Sequence, residues 1–495
     1  MLLIKYLMVN SMPSIKKNYF YNVLLTSTNI IAPLIIYPYV LRILGPAGIG
    51  KVNFAMSIMG YFLMIAQFGI PLYGIKEIAK VRDNKEKLSK VFSELFLINT
   101  ITFILSFVFY LILVITIPKF RGDFVLYFVV GTNLIFNLFT IDWFYSGLEE
   151  YKYITLRSVS VRILYIILIY FVIKSENDYT KYAMLGVLSL ALSNFVNILF
   201  LFKRVKFILK GLEFKKYLKP IFWIFLSAVI GSFYNKMDVV LLGFLTDEKY
   251  VGFYTTNRRI TSLILSFVSA LGTVLIPRLS YYINNNMKNE YKEIAEKSIN
   301  FIYFLSVPTI IILILLAKEI ILFFGGEKFL PATLSLQLIS FQILITSIAT
   351  FFGFQVILAN NDERSMMLVN ISGAIVNVTI NILFIKKFLH NAPSIAIVIS
   401  ETAVVITQIL LAKKYINFNV FTFKSLNYFI GGLFMCISII VLKYIFINLN
   451  FIFMLIVFSA VSIFVYCVYL LIVKDKIIFL ILNSITKKIG LQNAK

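Results

Sequence analysis

Cysteine, histidine and charge are all scarce in this 495-residue chain. The two cysteines, Cys436 and Cys467, both fall inside apolar stretches, which excludes a disulfide framework and a cysteine metal centre. His390 is the only histidine, so triad chemistry and histidine-rich metal sites have almost nothing to work with. No metal and no cofactor are expected. Charged residues make up 14% of the chain, against roughly 25% in an ordinary soluble domain. What fills the space is hydrophobic: 60% of all residues, 16% aromatic, with 49 Phe. Disordered chains are poor in such residues, and no soluble core could bury so much apolar surface. The apolar stretches run on for about 20 residues instead of alternating over about 10, which selects membrane helices over a β-barrel.

The fold class expected is therefore an all-α polytopic membrane protein. Fourteen stretches are long and apolar enough to span, among them 18–42, 52–74, 220–245, 250–277, 298–323, 394–412, 425–447 and 450–473. MLLIKYLMVNSM at the start is too short and lacks the cleavage site of a signal peptide. Net charge is +24, which in a soluble protein would suggest nucleic acid. In a membrane chain the placement of the cations matters instead. With both termini cytoplasmic, inner segments hold roughly two thirds of the 47 Lys and Arg, as the positive-inside rule requires. The densest runs, from Lys76 and from Lys203, both fall inside and read as topology signals attracted to anionic lipid. Residues 476–488 read as an interfacial amphipathic helix.

An internal repeat organises the chain. Leu41 to Ala55 and Val240 to Tyr254 both place Leu-Gly at a helix end, a short outer loop, then Gly and an aromatic. Each second helix finishes in Ile-Pro, at Ile70-Pro71 and Ile276-Pro277. GLEEYKYITLR from Gly147 and LANNDERSMM from Leu358 repeat a small-acidic-basic order about 210 residues apart. The segments expected are a tail at 1–17, a six-helix lobe at 18–202, a basic linker at 203–219 and a second six-helix lobe at 220–412. An appended helix pair at 425–473 and an amphipathic basic tail at 474–495 complete the chain. Six is even, so the repeat is parallel. A cavity between two such lobes is the geometry of a secondary transporter.

The stretches Arg42 to Lys80, Asp142 to Arg157 and Tyr234 to Ile260 resemble signatures of Wzx-type polysaccharide flippases. Those proteins belong to the multidrug/oligosaccharidyl-lipid/polysaccharide exporter superfamily. The resemblance covers the first twelve spans and implies translocation of a polyprenyl-diphosphate-linked oligosaccharide from the inner to the outer leaflet. It implies a non-enzymatic protein of the cytoplasmic membrane, serving capsule, O-antigen or other surface polysaccharide synthesis. A polymerase or glycosyltransferase complex is a possible partner, and nucleic acid is not. The last two spans are similar to the longer layout of lipid II flippases, where the extra pair offers a groove to the lipid tail.

Charges inside the bilayer cost at least about 2.5–3.5 kcal/mol each on insertion scales, so each needs a partner, water or a function. Lys236 and Asp238 in the seventh span, Arg258 and Arg259 in the eighth and Glu401 in the twelfth lie roughly 8–14 Å inside the outer boundary at 1.5 Å per residue. Arg42 adds a cation at the outer end of the first span. The functional reading gives Arg42, Lys236, Arg258 and Arg259 the diphosphate or acidic sugars, Arg offering bidentate oxyanion contact. Asp238 and Glu401 would then couple transport to H⁺ or Na⁺. The bland reading has these charges pair among themselves or snorkel to the interface. Snorkelling is also expected of Arg162, Lys318 with Glu319, and Lys443, and an interface-anchor role of Trp143. Pro33 and Pro38 suggest a kinked first span. GPAGIGK, Gly45 to Lys51, imitates a P-loop but continues with Val52 where Ser or Thr must bind Mg²⁺; it reads as a tight interhelical turn.

Competing functions follow from charge and loop length. A drug or cation antiporter of the same superfamily would favour carboxylates and aromatics for its ligand, whereas the charged cluster here is net basic. A membrane polysaccharide polymerase would need a sizeable outer loop, and none exceeds about a dozen residues.

Overall fold

Backbone amides in hydrocarbon have no water to satisfy them, so an apolar span must close its own hydrogen bonds as helix. The computed structural model follows that rule: among the described residues every regular element is helical. It describes residues 15–415, 425–446 and 449–479, the side chains at 15, 16, 30, 230, 232–235, 269–274, 276 and 277 excepted. The tail at 1–14, the loop at 416–424 and most of the amphipathic helix expected at 476–488 lie outside the described residues.

The long helices in chain order are α1 (Ile15–Gln67), α2 (Ile70–Val81), α3 (Lys85–Thr116), α4 (Phe124–Asn137), α5 (Tyr151–Val172) and α6 (Tyr179–Leu201). They continue with α7 (Lys215–Leu245), α8 (Glu248–Asn284), α9 (Lys288–Leu315), α10 (Glu363–Phe388), α11 (Asn391–Ala412), α12 (Leu426–Ile445) and α13 (Phe451–Ile472). Between α9 and α10 the tenth span is broken into short helices from Glu327 to Asn360, including a π-helical turn at Phe351–Ile357. The predicted stretches fall largely on helix, with 52–74 interrupted at Phe68 and Gly69 and 124–146 at 138–141, and among the described residues eleven helical segments are long and apolar enough to span.

One expectation about local geometry changes. The turn expected over Gly45 to Lys51 shrinks to a break at one residue, Gly45, with φ 65°. That left-handed conformation suits glycine, and Pro46 then opens the second half of α1 where a first-turn proline is tolerated. Pro33 and Pro38 both lie inside α1, and Gly45 is the residue whose backbone leaves the helical region.

The chain divides into two compact units, Met1–Val240 and Leu241–Lys495. The division falls within α7, not in the 203–219 linker, and the packing explains why. Ser89 and Ser93 of α3 accept the backbone N–H groups of Lys206 and Ile208 at 3.1 and 2.9 Å. Glu94, fully buried on the same helix, accepts the Glu213 N–H at 2.8 Å and the Tyr217 hydroxyl at 2.5 Å. The linker and the start of α7 therefore belong to the N-terminal unit. Its core gathers Phe92, Trp143, Phe144, Tyr145, Tyr217 and Ile221. Trp143 is buried there, stacked on Phe92 at 5.7 Å, so it is a packing residue and not the interface anchor expected.

In the C-terminal unit the appended pair is fastened by polar contacts. Lys443 of α12 pairs with buried Glu319 at 2.8 Å and donates to the Leu315 carbonyl at 2.6 Å. Those two charges were expected to snorkel; pairing keeps both within the protein instead. Tyr466 of α13 donates to the Phe304 carbonyl at 3.2 Å, and Tyr428 to Asp475 at 2.8 Å. In the N-terminal unit Arg162 hydrogen-bonds Asn29 across α5 and α1, again a partner where snorkelling was expected.

Candidate functional site

Lys236 is a charged side chain that lines a cavity. The cavity lies within the N-terminal unit, between the end of α1, the start of α2 and α7. It has a volume of about 740 Å³. Gly60, Leu63, Met64 and Gln67 line it from α1, and Ile224, Ser227, Ala228 and Lys236 from α7.

Local sequence explains this arrangement. Phe68 and Gly69 both take positive φ, 45° and 78°, turning the chain sharply between α1 and α2. A Cβ on Gly69 would stand 2.9 Å from the Ile221 carbonyl oxygen and 3.0 Å from the Phe225 nitrogen. Only glycine lets the α7 backbone come so close. Phe68 and Phe225 pack beside it with ring centroids 4.8 Å apart. About three turns further along α7, Lys236 lies over Gly60. The polar lining is already engaged: Gln67 donates to Asn137 at 3.2 Å and Ser227 to the Trp223 carbonyl at 3.1 Å. Lys236 has no hydrogen bond or ion pair to another described residue. The cavity is thus mostly apolar with a single unspent ammonium.

The six residues expected at the site are distributed over both units. Arg42, Lys236 and Asp238 belong to the N-terminal one, and Arg258, Arg259 and Glu401 to the C-terminal one. Arg42 is exposed before the Gly45 break and carries a polar interaction of its own. Asp238 is fully buried two residues beyond Lys236, within electrostatic range of the Tyr61 hydroxyl. In the C-terminal unit Arg258 is half-buried and donates to Gln342 at 3.4 Å, while Arg259 is exposed. Next to them Asn257 is buried and donates to the Ala332 carbonyl at 2.8 Å and to Ser335, fixing α8 against the tenth span. Glu401 is buried on α11 and is engaged in a polar interaction.

Sequence reasoning missed a second polar centre in the N-terminal unit. Arg157 of α5 is buried and grips Asp142 through both terminal nitrogens, at 2.8 and 2.9 Å. Asn197 of α6 donates to the same carboxylate at 2.9 Å and accepts from Tyr153 at 3.2 Å. The signal was available, since Asp142 and Arg157 bound one of the quoted signature stretches; an acid and a base 15 apart simply do not announce that they meet. Gly60 and Gln67 also went unremarked, because a helical glycine or glutamine carries no pattern of its own. His390 is held structurally: its Nε2 lies 3.0 Å from the Pro331 carbonyl oxygen and its ring stacks on Tyr250 at 5.7 Å. Burial pushes its pKa below the ordinary histidine value, so it stays neutral near pH 7. No cluster of metal-ligating side chains occurs among the described residues.

Comparison with known proteins bears on this geometry. The polysaccharide biosynthesis protein family matches residues 15–283, and the MatE family matches residues 224–383. A protein of Escherichia coli K12 described as an O-antigen transporter is 23% identical over 405 residues, covering 80% of this chain and 96% of that one. A protein of Haloferax volcanii described as a low-salt glycan biosynthesis flippase is 23% identical over 162 residues, a third of either chain. The solved structure of the lipid II flippase MurJ in an inward closed conformation superposes with a TM-score of 0.76 at 17% identity, covering 93% of this chain and all of that one. That likeness establishes the fold, and with the apolar helices it makes the chain a multi-pass membrane protein. A family match running over more than half of the sequence settles the kinship: the chain belongs to the family of polysaccharide biosynthesis proteins.

Proposed function

We propose that this chain is a flippase carrying a polyprenyl-diphosphate-linked oligosaccharide across the cytoplasmic membrane by alternating access, for capsule, O-antigen or another surface polysaccharide. Family membership and the relatives described as transporters and flippases support the reading. The single observation that carries it here is the unpaired ammonium of Lys236 in a largely apolar cavity.

A lone cation in a membrane-embedded cavity is costly, and an anionic ligand relieves that cost. A phosphate oxygen accepting from Lys236 makes a charge-assisted hydrogen bond, roughly twice as strong as a neutral one. The apolar walls suit the first units of a hydrocarbon tail. Release on the far side needs the grip to weaken, which a change of conformation supplies without ATP. Arg42, Arg258 and Arg259 extend the anion-binding role, and Asp238 and Glu401 couple the cycle to H⁺ or Na⁺. Both termini face the cytoplasm, where a polymerase or glycosyltransferase complex supplies or receives the substrate. Reading the chain as a drug antiporter is less apt, because a resident cation repels cationic drugs.

The test is export in a strain lacking the native transporter. Lys236→Gln, and separately the double change Arg258→Ala with Arg259→Ala, should abolish surface polysaccharide while membrane insertion stays intact. Normal polymer from both would contradict the anion-binding assignment.

A further inference from the structure

Gly60 sits on α1 directly beneath the Lys236 side chain. A Cβ built there would stand 2.3 Å from Lys236 Nζ, 3.2 Å from Cε and 3.3 Å from Cδ. Gly48 of the same helix, by contrast, meets the Leu44 and Tyr179 side chains and the Glu176 carbonyl oxygen. Gly60 is buried and helical, so its missing side chain answers no need of backbone conformation. In mid-helix glycine is the poorer choice, alanine being the better helix former. The space it leaves open is taken by the end of one lysine.

We infer that Gly60 is a positioning residue for the anion-binding ammonium: its bare Cα lets the Lys236 stem lie across α1 and holds Nζ in the cavity. The inference rests on the flippase reading for its functional meaning but not for its geometry. A methyl group at position 60 meets only the far end of a flexible side chain, with no backbone in the way. The fold therefore tolerates it, and the lysine moves. Moved off the cavity wall, the ammonium loses its aim at a bound phosphate while its charge and the surrounding packing persist. Gly60 acts through Lys236 alone, so its effect disappears when the lysine is gone.

The experiment uses the full-length purified protein and four forms: the native chain, Gly60→Ala, Lys236→Gln and the double variant. The first readout is acylation of Lys236 by a small activated ester, followed by peptide mass spectrometry with the exposed Lys219 as internal reference. Gly60→Ala should change the Lys236 rate several-fold and leave Lys219 unchanged. An unaltered rate at Lys236 overturns the inference whatever transport does. The second readout is binding of farnesyl diphosphate as probe. Gly60→Ala should weaken it roughly tenfold in the native background, as loss of a hydrogen bond to a charged group does, and not at all beside Lys236→Gln. Equal weakening in both backgrounds means that Gly60 acts through helix packing, and overturns the inference. A shifted acylation rate combined with undiminished binding in Lys236→Gln would uphold the geometry and overturn the flippase role of the lysine alone.

Discussion

Two treatments of charge within the helices stand in contrast. Arg157 and Glu319 each have an opposite charge within 2.8 Å, and their pairs fasten helices. Lys236 has none among the described residues and opens on a cavity. A buried ion pair satisfies itself and leaves nothing for a ligand, whereas the proposed reading leaves Lys236 free to take one. The Arg157 grip depends on the fork of a guanidinium, which offers two nitrogens to one carboxylate. Arg157→Lys keeps the charge and gives up the fork, so it should lower stability by about 1–3 kcal/mol. Thermal unfolding in detergent measures this, and an unchanged transition would mean that Asp142 is satisfied by Asn197 alone.

Elements are joined by caps and clamps placed at helix ends. Asp362 caps α10 by accepting the Ser365 N–H at 3.1 Å, and it also takes Lys414 at 2.5 Å and Tyr415 at 2.8 Å from the end of α11. The Lys414 hydrogen bond, with Ser365 and Tyr415 behind it, holds the Asp362 carboxyl well below the usual carboxylate range. A carboxylate with a depressed folded-state pKa stabilises fully above its unfolded value near 4, and that contribution is lost as pH falls through the folded value. Asp362→Asn should therefore be less thermostable than the native protein at pH 7, and the gap should close as pH drops below about 4. A gap that stays constant with pH would show the ion pair to be idle. At this scale the sequence was partly legible. Apolar runs of span length predicted most of the long helices, α2 with its charged second half excepted, because the bilayer leaves the backbone no other structure. The break in α1 falls at Gly45, the first residue of the turn expected over Gly45 to Lys51, although its φ of 65° and the helical continuation to Lys51 cannot be read from residue order.

For the whole molecule, length and composition specified an all-α membrane chain, and the fold shared with MurJ agrees. The site was less legible. Burial cost drew attention to Lys236 and, less strongly, to Glu319 and Lys443, which lie 124 residues apart in the chain and pair at 2.8 Å. Which charges meet is a property of tertiary packing and leaves no trace in spacing. Orientation rests on the distribution of Lys and Arg, so a reporter fused within 203–219 should read cytoplasmic and one within 386–393 external. The opposite pattern would invert every assignment of inner and outer end. The central claim, that the Lys236 ammonium carries a phosphorylated lipid headgroup, is tested most directly in sealed vesicles containing only this protein. A fluorescent polyprenyl-diphosphate-linked sugar is supplied to one leaflet and its arrival in the other is timed. The native chain and Lys236→Arg should move it, with Lys236→Gln slower by roughly tenfold or more. Equal rates for Lys236→Gln and the native chain would contradict the account.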